Sequence, residues 1–144
     1  MDVSLRPVTK NDIDIIYSWR NHPEVRKMMF NSKPISLEEH RAFWGRLLDD
    51  KSALSFVILY KGEPVGVVRL ERREEFHEVD IFVAPSAQGK GVGSEALGLA
   101  VNAAKENCIK KLGARIRNEN AASHKAFLTN GFKEKYVYYE RDIL

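Results

Sequence analysis

The sequence is poor in the residues that build disulfide-linked or metal-dependent proteins. Its one cysteine, Cys108, has no partner within the chain, so a secreted disulfide framework is excluded. The histidines at 22, 40, 77 and 124 show no metal-ligand spacing, and we predict no metal site. No apolar run approaches the ~20 residues that span a bilayer, and the first residues lack the pattern of a signal peptide. We therefore expect a cytoplasmic protein with no membrane contact.

The excess of positive charge is small. The chain has 23 basic and 20 acidic residues, a formal net charge of +3. Nucleic-acid binders concentrate basic residues on one face, so we expect no nucleic-acid partner. A mildly basic surface still favours recruitment of a small polyanionic ligand. No repeat or Gly/Ser/Pro-rich linker divides the 144 residues, which indicates a single domain over residues 1–144.

The hydrophobic pattern predicts a strand, then helices, then three strands. Residues 3–8 alternate as a strand, and Thr9 with Asp12 resembles a capping box ahead of a helix that stops before Pro23. A second short helix is expected from residue 23 to 29, and Ser36 with Glu39 forms the capping box of the next one. Residues 54–60, 65–70 and 79–83 are rich in β-branched and aromatic residues, which favours an antiparallel meander.

The second half alternates helices and strands. A helix is expected over residues 94–106, a strand over 112–117, a helix over 121–129 and a final strand over 132–141. The predicted order is β-α-α-β-β-β-α-β-α-β, an α+β fold with a mixed central sheet.

The most informative segment runs from Gln88 to Ser94, between a strand and a helix. Its three alternate glycines let the backbone turn several N–H groups toward one point, beside the positive end of the helix dipole. Lys90 and the Ser94 hydroxyl add a cation and a further donor, which suits a pyrophosphate. The alternative is a flexible loop in which the glycines only make turns.

Two other phosphate-binding patterns fit less well. Residues 91–96 match G-x-G-x-x-A, but residues 84–90 separate them from the preceding strand, unlike the dinucleotide-binding motif. No stretch supplies the G-x-x-x-x-G-K-[ST] pattern of nucleoside triphosphatases. Hydrolysis of ATP or GTP is therefore not expected.

Two segments resemble a known superfamily. Val83-x-Pro85 followed by Gln88-Gly89-Lys90-Gly91-Val92-Gly93 resembles the acetyl-CoA motif Q/R-x-x-G-x-G/A of the GCN5-related N-acetyltransferases. Asn120-Ala121-Ala122-Ser123, with Phe127 and then Gly131-Phe132, is similar to the second cofactor segment of that superfamily. The resemblance implies the fold just predicted and transfer of an acetyl group from acetyl-CoA to an amine within a ternary complex.

The resemblance also implies roles for individual residues. The backbone amides from 88 to 94 would hold the pyrophosphate, that is, those of Gln88, Gly89, Lys90, Gly91, Val92, Gly93 and Ser94. The strand Ile81-Phe82-Val83 would offer backbone groups to the pantetheine arm, which resembles an extended peptide. Asn120 and Ser123 would face the cofactor from the other side, although such residues at a helix start are often only caps.

The attacking amine must lose a proton, which calls for a carboxylate or histidine near the thioester. Glu78 stands where the superfamily often has its glutamate base, and Asp80 follows on the same strand face. The superfamily often protonates the departing thiolate with a tyrosine, but this chain has Phe127 at that position. We expect Tyr138 on the last strand to replace it, with solvent water as the alternative.

The acceptor region is the N-terminal helical part. Residues 19–26 and 34–40 resemble the amino-sugar-nucleotide acetyltransferases of the pseudaminic acid pathway, which predicts that Arg20, His22 and Arg26 contact a nucleotide diphosphate. The expected partner is a small-molecule amine, with a homodimer as one option for assembly. The alternatives are acetylation of protein N-termini of the ribosomal-protein type, acetylation of another small amine, and a domain that binds acetyl-CoA without turning it over.

Overall fold

The computed structural model describes residues 1–144 and contains one five-stranded sheet between two groups of helices. The elements in chain order are β1 (Val3–Pro7), α1 (Ile13–Arg20), α2 (Pro23–Arg26), α3 (Leu37–Asp49), β2 (Leu54–Tyr60), β3 (Glu63–Arg72), β4 (His77–Val83), α4 (Val92–Glu106), β5 (Leu112–Gly113) and α5 (Ala121–Thr129). Single-turn 3-10 helices cover Lys10–Asp12 and Pro85–Ala87. No helix combines the length and the apolar character that a bilayer span requires.

The strands lie in the order β1-β2-β3-β4-β5, and all neighbours are antiparallel except β4 and β5. The predicted α+β class with a mixed central sheet is confirmed. The parallel pair is short, because only His77 and Glu78 of β4 find partners, Leu112 and Gly113, on β5. Beyond Glu78 the two strands separate, which leaves one edge of β4 open.

Alternation along the strands divides the core into two halves. Val67 and Phe82 face α1 and α3, where they pack with Trp44 in one buried cluster. Val68 and Leu70 face the opposite side and pack against α4. Because side chains alternate with period two, Arg69 and Asp80 lie on the same face as Val67 and Phe82. On the side of the sheet that faces α1 and α3, the charged residues Arg69 and Asp80 therefore lie next to the buried apolar residues Val67 and Phe82.

The predicted helix starts are confirmed by their caps. The backbone N–H of Thr9 donates to the Asp12 carboxylate at 2.8 Å just before α1. The Ser36 hydroxyl accepts from the Glu39 N–H at 3.1 Å at the start of α3. Each cap satisfies a donor that the helix itself cannot pair.

The predicted order has two helices before the meander, whereas the structure has three, and α2 ends at Arg26 rather than at residue 29. The C-terminal part also differs from the predicted order. The expected strand over residues 132–141 does not form, and the strand expected over 112–117 shortens to Leu112–Gly113. The high β-propensity of residues 136–139 is therefore not sufficient to form a strand, because a strand also needs a neighbouring strand with which its backbone groups form hydrogen bonds. The N–H of Phe132 donates to Phe127, and no backbone group after it takes part in a backbone hydrogen bond.

Candidate active site

A cleft of about 1180 Å³ opens where β4 and β5 separate. One half is bordered by the loop before α4 and by the start of α5, and the other half by α1, α2 and the segment that follows them. Ligand sites are typically concave and few per protein, and this is the larger of the two principal cavities.

The loop before α4 presents a row of unpaired donors. The N–H groups of residues 89–94 make no hydrogen bond within the protein, whereas those of Gln88 and Glu95 on either side donate to Pro85 and Gly91. Gly89 and Gly91 adopt left-handed φ values of 75° and 79°, which only glycine reaches without strain. Gly91 is also the N-cap of the 15-residue α4, so these donors lie at the positive end of its dipole. Unpaired N–H groups at a helix N-terminus are the feature that binds anions in proteins, and we call residues 89–94 the candidate anion-binding cradle.

The side chains of Ser94 and Lys90 lie at different positions relative to the cleft. Ser94 borders the cleft, and its hydroxyl oxygen and its carbonyl both accept from Nδ2 of Asn130, at 3.3 and 3.1 Å. The Ser94 hydroxyl hydrogen is thereby left for another acceptor. Lys90 does not border the cleft, and its Nζ lies 6.0 Å from the centroid of the Tyr60 ring. Of the two groups, only Ser94 can act beside the cradle without a rearrangement.

The open edge of β4 offers backbone groups to the cleft. Ala84 donates to Val65 on the β3 side and His77 donates to Lys111 on the β5 side, so alternation points the N–H and C=O of Ile81 and Val83 toward the cleft. The backbone groups of Phe82 point to β3 instead, and its side chain is buried in the core. The carbonyl of Val83 already accepts from the Gln88 side chain at 3.1 Å.

The start of α5 forms the opposite wall. Asn120 caps the helix by accepting from the Ser123 N–H at 3.2 Å, and its Nδ2 donates to the Met28 carbonyl at 3.4 Å. Ser123 borders the cleft, and its hydroxyl makes no hydrogen bond within the protein. Phe127 is buried and packs edge-to-face on Phe132 with the ring centroids 4.7 Å apart.

Glu78 is held by two arginines. Its Oε1 accepts from Nε of Arg73 at 3.0 Å and its Oε2 accepts from Nε of Arg115 at 2.9 Å. The Glu78 side chain is only 15% exposed, so both oxygens are engaged in a partly desolvated position. Glu78 therefore meets two guanidinium groups, one through each oxygen, at the wall of the cleft.

Asp80 keeps one carboxylate oxygen free. Its Oδ2 pairs with Nη2 of Arg69 at 2.6 Å, and no protein group donates to Oδ1. Arg69 also pairs with Glu71 at 2.8 Å and lies over the Phe43 ring at 4.9 Å. Burial lowers the pKa of Arg69, but the carboxylates of Asp80 and Glu71 outweigh this and raise the pKa above its ordinary value. The guanidinium is thus a permanent positive charge beside Asp80.

The structure does not bring Tyr138 to this site. The residue lies in the unpaired segment after α5, is 72% exposed and does not border the cleft. The sequence had placed it on a strand, and without that strand nothing directs its hydroxyl toward β4.

Only one of the three predicted acceptor contacts borders the cleft. Arg20, at the end of α1, does so. The Nδ1 of His22 accepts from the Glu24 N–H at 3.1 Å and caps α2, and Nε of Arg26 donates to the Asn21 carbonyl at 3.0 Å. His22 and Arg26 therefore stabilise the turn between α1 and α2, outside the cleft.

Sequence reasoning missed the charged residues that surround the two carboxylates. Arg69 and Glu71 could have been found, since period-two alternation on β3 places them on the face that pairs with Asp80 and Glu78. Arg115 gave no such signal, because it lies 37 residues beyond Glu78 in the chain. Its guanidinium also stacks 4.7 Å from the Phe30 ring and so connects β4 with the segment after α2.

Comparison with known proteins identifies the family. Residues 2–133 match the model of the acetyltransferase (GNAT) domain. The chain is 28% identical over 127 residues to the acetyltransferase PseH of Campylobacter jejuni, with 87% of this chain and 79% of that protein covered. It is also 27% identical over 139 residues to the uncharacterized protein MJ1062 of Methanocaldococcus jannaschii. That alignment covers 92% of this chain but only 28% of the longer protein.

A solved structure shows the same fold. The spermidine N-acetyltransferase of Vibrio cholerae, determined in complex with CoA and spermine, superposes with a TM-score of 0.83 at 22% identity, over 94% of this chain and 83% of that one. A match at this identity establishes the fold. Because the family model extends over nearly the whole sequence, this chain belongs to the GNAT family of acetyltransferases.

Proposed function

We propose that this protein transfers the acetyl group of acetyl-CoA to a primary amine that binds in the same cleft. The observation that carries the proposal is the row of unpaired N–H groups at residues 89–94, next to the open edge of β4. The residues present fit this donor. Free amides at a helix N-terminus suit a pyrophosphate, and an open strand edge suits the amide-containing pantetheine arm.

Different groups of the chain would bind different parts of acetyl-CoA along the cleft. The amides of residues 89–94 and the Ser94 hydroxyl hold the anionic end of the donor, and Ser123 faces them from α5. The backbone of Ile81 and Val83 would pair with the extended arm. Acetyl-CoA, when bound, supplies an activated thioester, and a β4 N–H close to it would stabilise negative charge on its carbonyl oxygen.

A carboxylate must take the proton of the attacking amine. Glu78 and Asp80 are the two candidates, and the geometry supports Asp80 because its Oδ1 is free, whereas both oxygens of Glu78 are engaged by arginines. Glu78 then acts as the anchor that fixes Arg73 and Arg115 at the wall of the cleft. General base catalysis by one positioned carboxylate contributes about 10²–10⁴ in rate.

Neither of the two residues considered for protonating the departing thiolate is suited to it. Phe127 has no proton to give, and Tyr138 lies outside the cleft. We propose that solvent water supplies this proton, which a thiolate tolerates because it is a good leaving group. The chain would thus differ from the tyrosine-dependent pattern of its superfamily at this single step.

We further propose that the acceptor is a nucleotide-linked amino sugar. The similarity to PseH over 87% of the chain supports this, together with the resemblance of residues 19–26 to that group. The other candidates are an N-terminal peptide amine and a small amine. A domain that binds acetyl-CoA without turnover is also compatible with the position of Phe127.

The test is an acceptor screen that measures free thiol released from acetyl-CoA. The panel contains amino-sugar nucleotides, N-terminal peptides, polyamines and free amino acids, and acetyl-CoA affinity is measured separately by calorimetry. Thiol release that requires a primary amine supports the transferase. Tight acetyl-CoA binding without thiol release from any amine supports the non-catalytic alternative, and no binding at all contradicts the proposal.

A further inference from the structure

Arg20 is the one arginine of the cleft wall that has no carboxylate partner. Four arginines border the cleft, namely Arg20, Arg69, Arg73 and Arg115. Each of the last three forms an ion pair with Glu71, Glu78 or Asp80 at 3.9 Å or less. Arg20 forms none, and its only hydrogen bond runs from Nη2 to the Asn31 carbonyl at 3.2 Å.

The Nη1 atom of Arg20 is a buried donor without an acceptor. It is the only buried side-chain nitrogen or oxygen of the chain that lacks a hydrogen-bond partner. Burial lowers the pKa of Arg20, and the charges of Arg69 and Arg26 act in the same direction against the opposing effect of Asp80. A guanidinium nevertheless stays charged in proteins. A buried charged donor with no partner is costly to the folded state, so it calls for an explanation.

The carboxylates of the cleft show the opposite condition, because all of them are paired. Glu24 pairs with Lys27 and Glu119 with Arg117, and Glu71, Glu78 and Asp80 pair with the other arginines. The wall thus offers an uncompensated positive charge and no uncompensated negative one. A polyamine, which carries only positive charge, would find one carboxylate oxygen without a donor, Oδ1 of Asp80, and would place its other ammonium groups beside the arginines of the same wall.

We propose that Arg20 binds an oxyanion of the acceptor, a carboxylate or a phosphate, so that the substrate is an amine that also carries negative charge. This inference rests on the proposed acetyltransferase function and assigns recognition of the negative charge of the acceptor to Arg20. Binding requires the guanidinium to turn Nη1 toward the cleft, and no hydrogen bond at Nη1 is lost in doing so. Arginine suits this role because it presents paired N–H groups to two oxygens at once.

The first experiment compares matched acceptors with the wild-type protein and the variants Arg20→Gln, Arg20→Lys and Arg46→Gln. Arg46 is the control because it is exposed on α3, forms no ion pair and does not border the cleft. The effect of a phosphate is measured by comparing a nucleotide-linked amino sugar with the free amino sugar. The effect of a carboxylate is measured by comparing an amino acid with its amide. Spermidine is the acceptor without an anion.

We expect Arg20→Gln to raise KM at least tenfold for an acceptor that the wild-type protein acetylates and that carries the phosphate or the carboxylate. The KM for the matched acceptor without that anion should change little. Arg20→Lys should restore part of the loss, and Arg46→Gln should behave as wild type. The KM for acetyl-CoA should stay within twofold in all variants. The inference is overturned if spermidine is turned over as efficiently as the anionic amines, or if Arg20→Gln affects neutral and anionic acceptors equally.

A second measurement separates this inference from the transferase itself. Inorganic phosphate at constant ionic strength should raise the melting temperature of wild type and Arg46→Gln more than that of Arg20→Gln, and equal shifts in all three contradict the inference. The unliganded Arg20→Gln protein should melt close to wild type, because removing a buried donor without a partner offsets the loss of the Nη2 hydrogen bond to the Asn31 carbonyl. A failure of acetyl-CoA to bind would refute the proposed function, while the phosphate experiment still reports on Arg20.

Discussion

Arg69 and Asp80 lie directly opposite each other on β3 and β4, with Nη2 and Oδ2 2.6 Å apart. The same guanidinium is held by Glu71 at 2.8 Å, so its position is fixed from two sides. Asp80 is therefore oriented through one oxygen, while no protein group donates to the other.

Replacing Asp80 with Asn should lower kcat by about 10²–10⁴ and leave acetyl-CoA affinity nearly unchanged, because the amide keeps the shape of the side chain but cannot take a proton. The matched variant Glu78→Gln should lower kcat by less than tenfold, since both Glu78 oxygens are already engaged. Steady-state kinetics and calorimetry with acetyl-CoA measure the two effects. A larger loss in Glu78→Gln than in Asp80→Asn would assign the base to Glu78.

Replacing Gly91 with Val should weaken acetyl-CoA binding more than tenfold, which corresponds to about 1.4 kcal/mol. Gly91 has φ of 79°, and an added Cβ would also lie 3.2 Å from Cε of Met1. A β-branched residue there must distort the row of free N–H groups. Calorimetric titration measures the change, and circular dichroism checks that the variant is folded. Unchanged affinity in a folded variant would refute the anion-binding cradle.

Replacing Gly66 with Ala should lower the free energy of unfolding by about 1–3 kcal/mol, because overpacking forces strands apart. An added Cβ would overlap the carbonyl oxygen of Phe82 on the adjacent β4. Gly45→Ala is the control, since its Cβ would meet no atom within 4 Å and alanine favours a helix by roughly 0.5–1 kcal/mol. Urea unfolding compares the two, and equal stabilities would show that β3 and β4 adapt to the extra carbon.

Replacing Tyr138 with Phe should leave kcat within twofold. The hydroxyl lies in an exposed segment outside the cleft, so its removal changes no group near the thioester. The pH dependence of kcat should likewise be the same in both proteins at high pH. A tenfold loss would mean that residues 132–141 reach the cleft during turnover, and would restore Tyr138 as the thiolate acid.

At low pH the ion pair between Arg6 and Asp12 should no longer contribute to the free energy of unfolding. The hydrogen bonds from Arg6 lower the pKa of Asp12 to about 2 against the opposing effect of burial. A lowered folded-state pKa gives stability that is present above the unfolded value near 3.8 and is lost as pH falls toward 2. Asp12→Asn should cost about 1–2 kcal/mol at neutral pH, an amount reduced by the partial exposure of Arg6.

Urea unfolding of wild type and Asp12→Asn at several pH values measures this difference. It should be constant from neutral pH down to about pH 5 and should shrink below pH 4. A difference that does not depend on pH would mean that Asp12 stabilises the protein through its shape and cap position rather than through its charge.

The sequence by itself determined the features that depend on near neighbours in the chain. Ser36 fixes where α3 begins, and Thr9 with Asp12 fixes the single 3-10 turn before α1, because in each case a side chain three residues away accepts from a backbone N–H. The glycines at 89 and 91 fix the shape of the loop before α4, because only glycine adopts those φ values without strain. Period-two alternation likewise placed Glu78 and Asp80 on one face of β4.

The tertiary structure alone decided what each of these groups meets. Whether Glu78 is free depends on Arg115, which is distant in the chain and is brought close by the pairing of β4 with β5. Whether Tyr138 lies on a strand depends on a neighbouring strand that the segment does not find. His22 and Arg26 carry suitable groups for an anion but use them on the backbone of their own turn, and Arg20 remains without a partner. Residue type sets which bonds a side chain can form, but the competition among its neighbours in space decides which bond it makes.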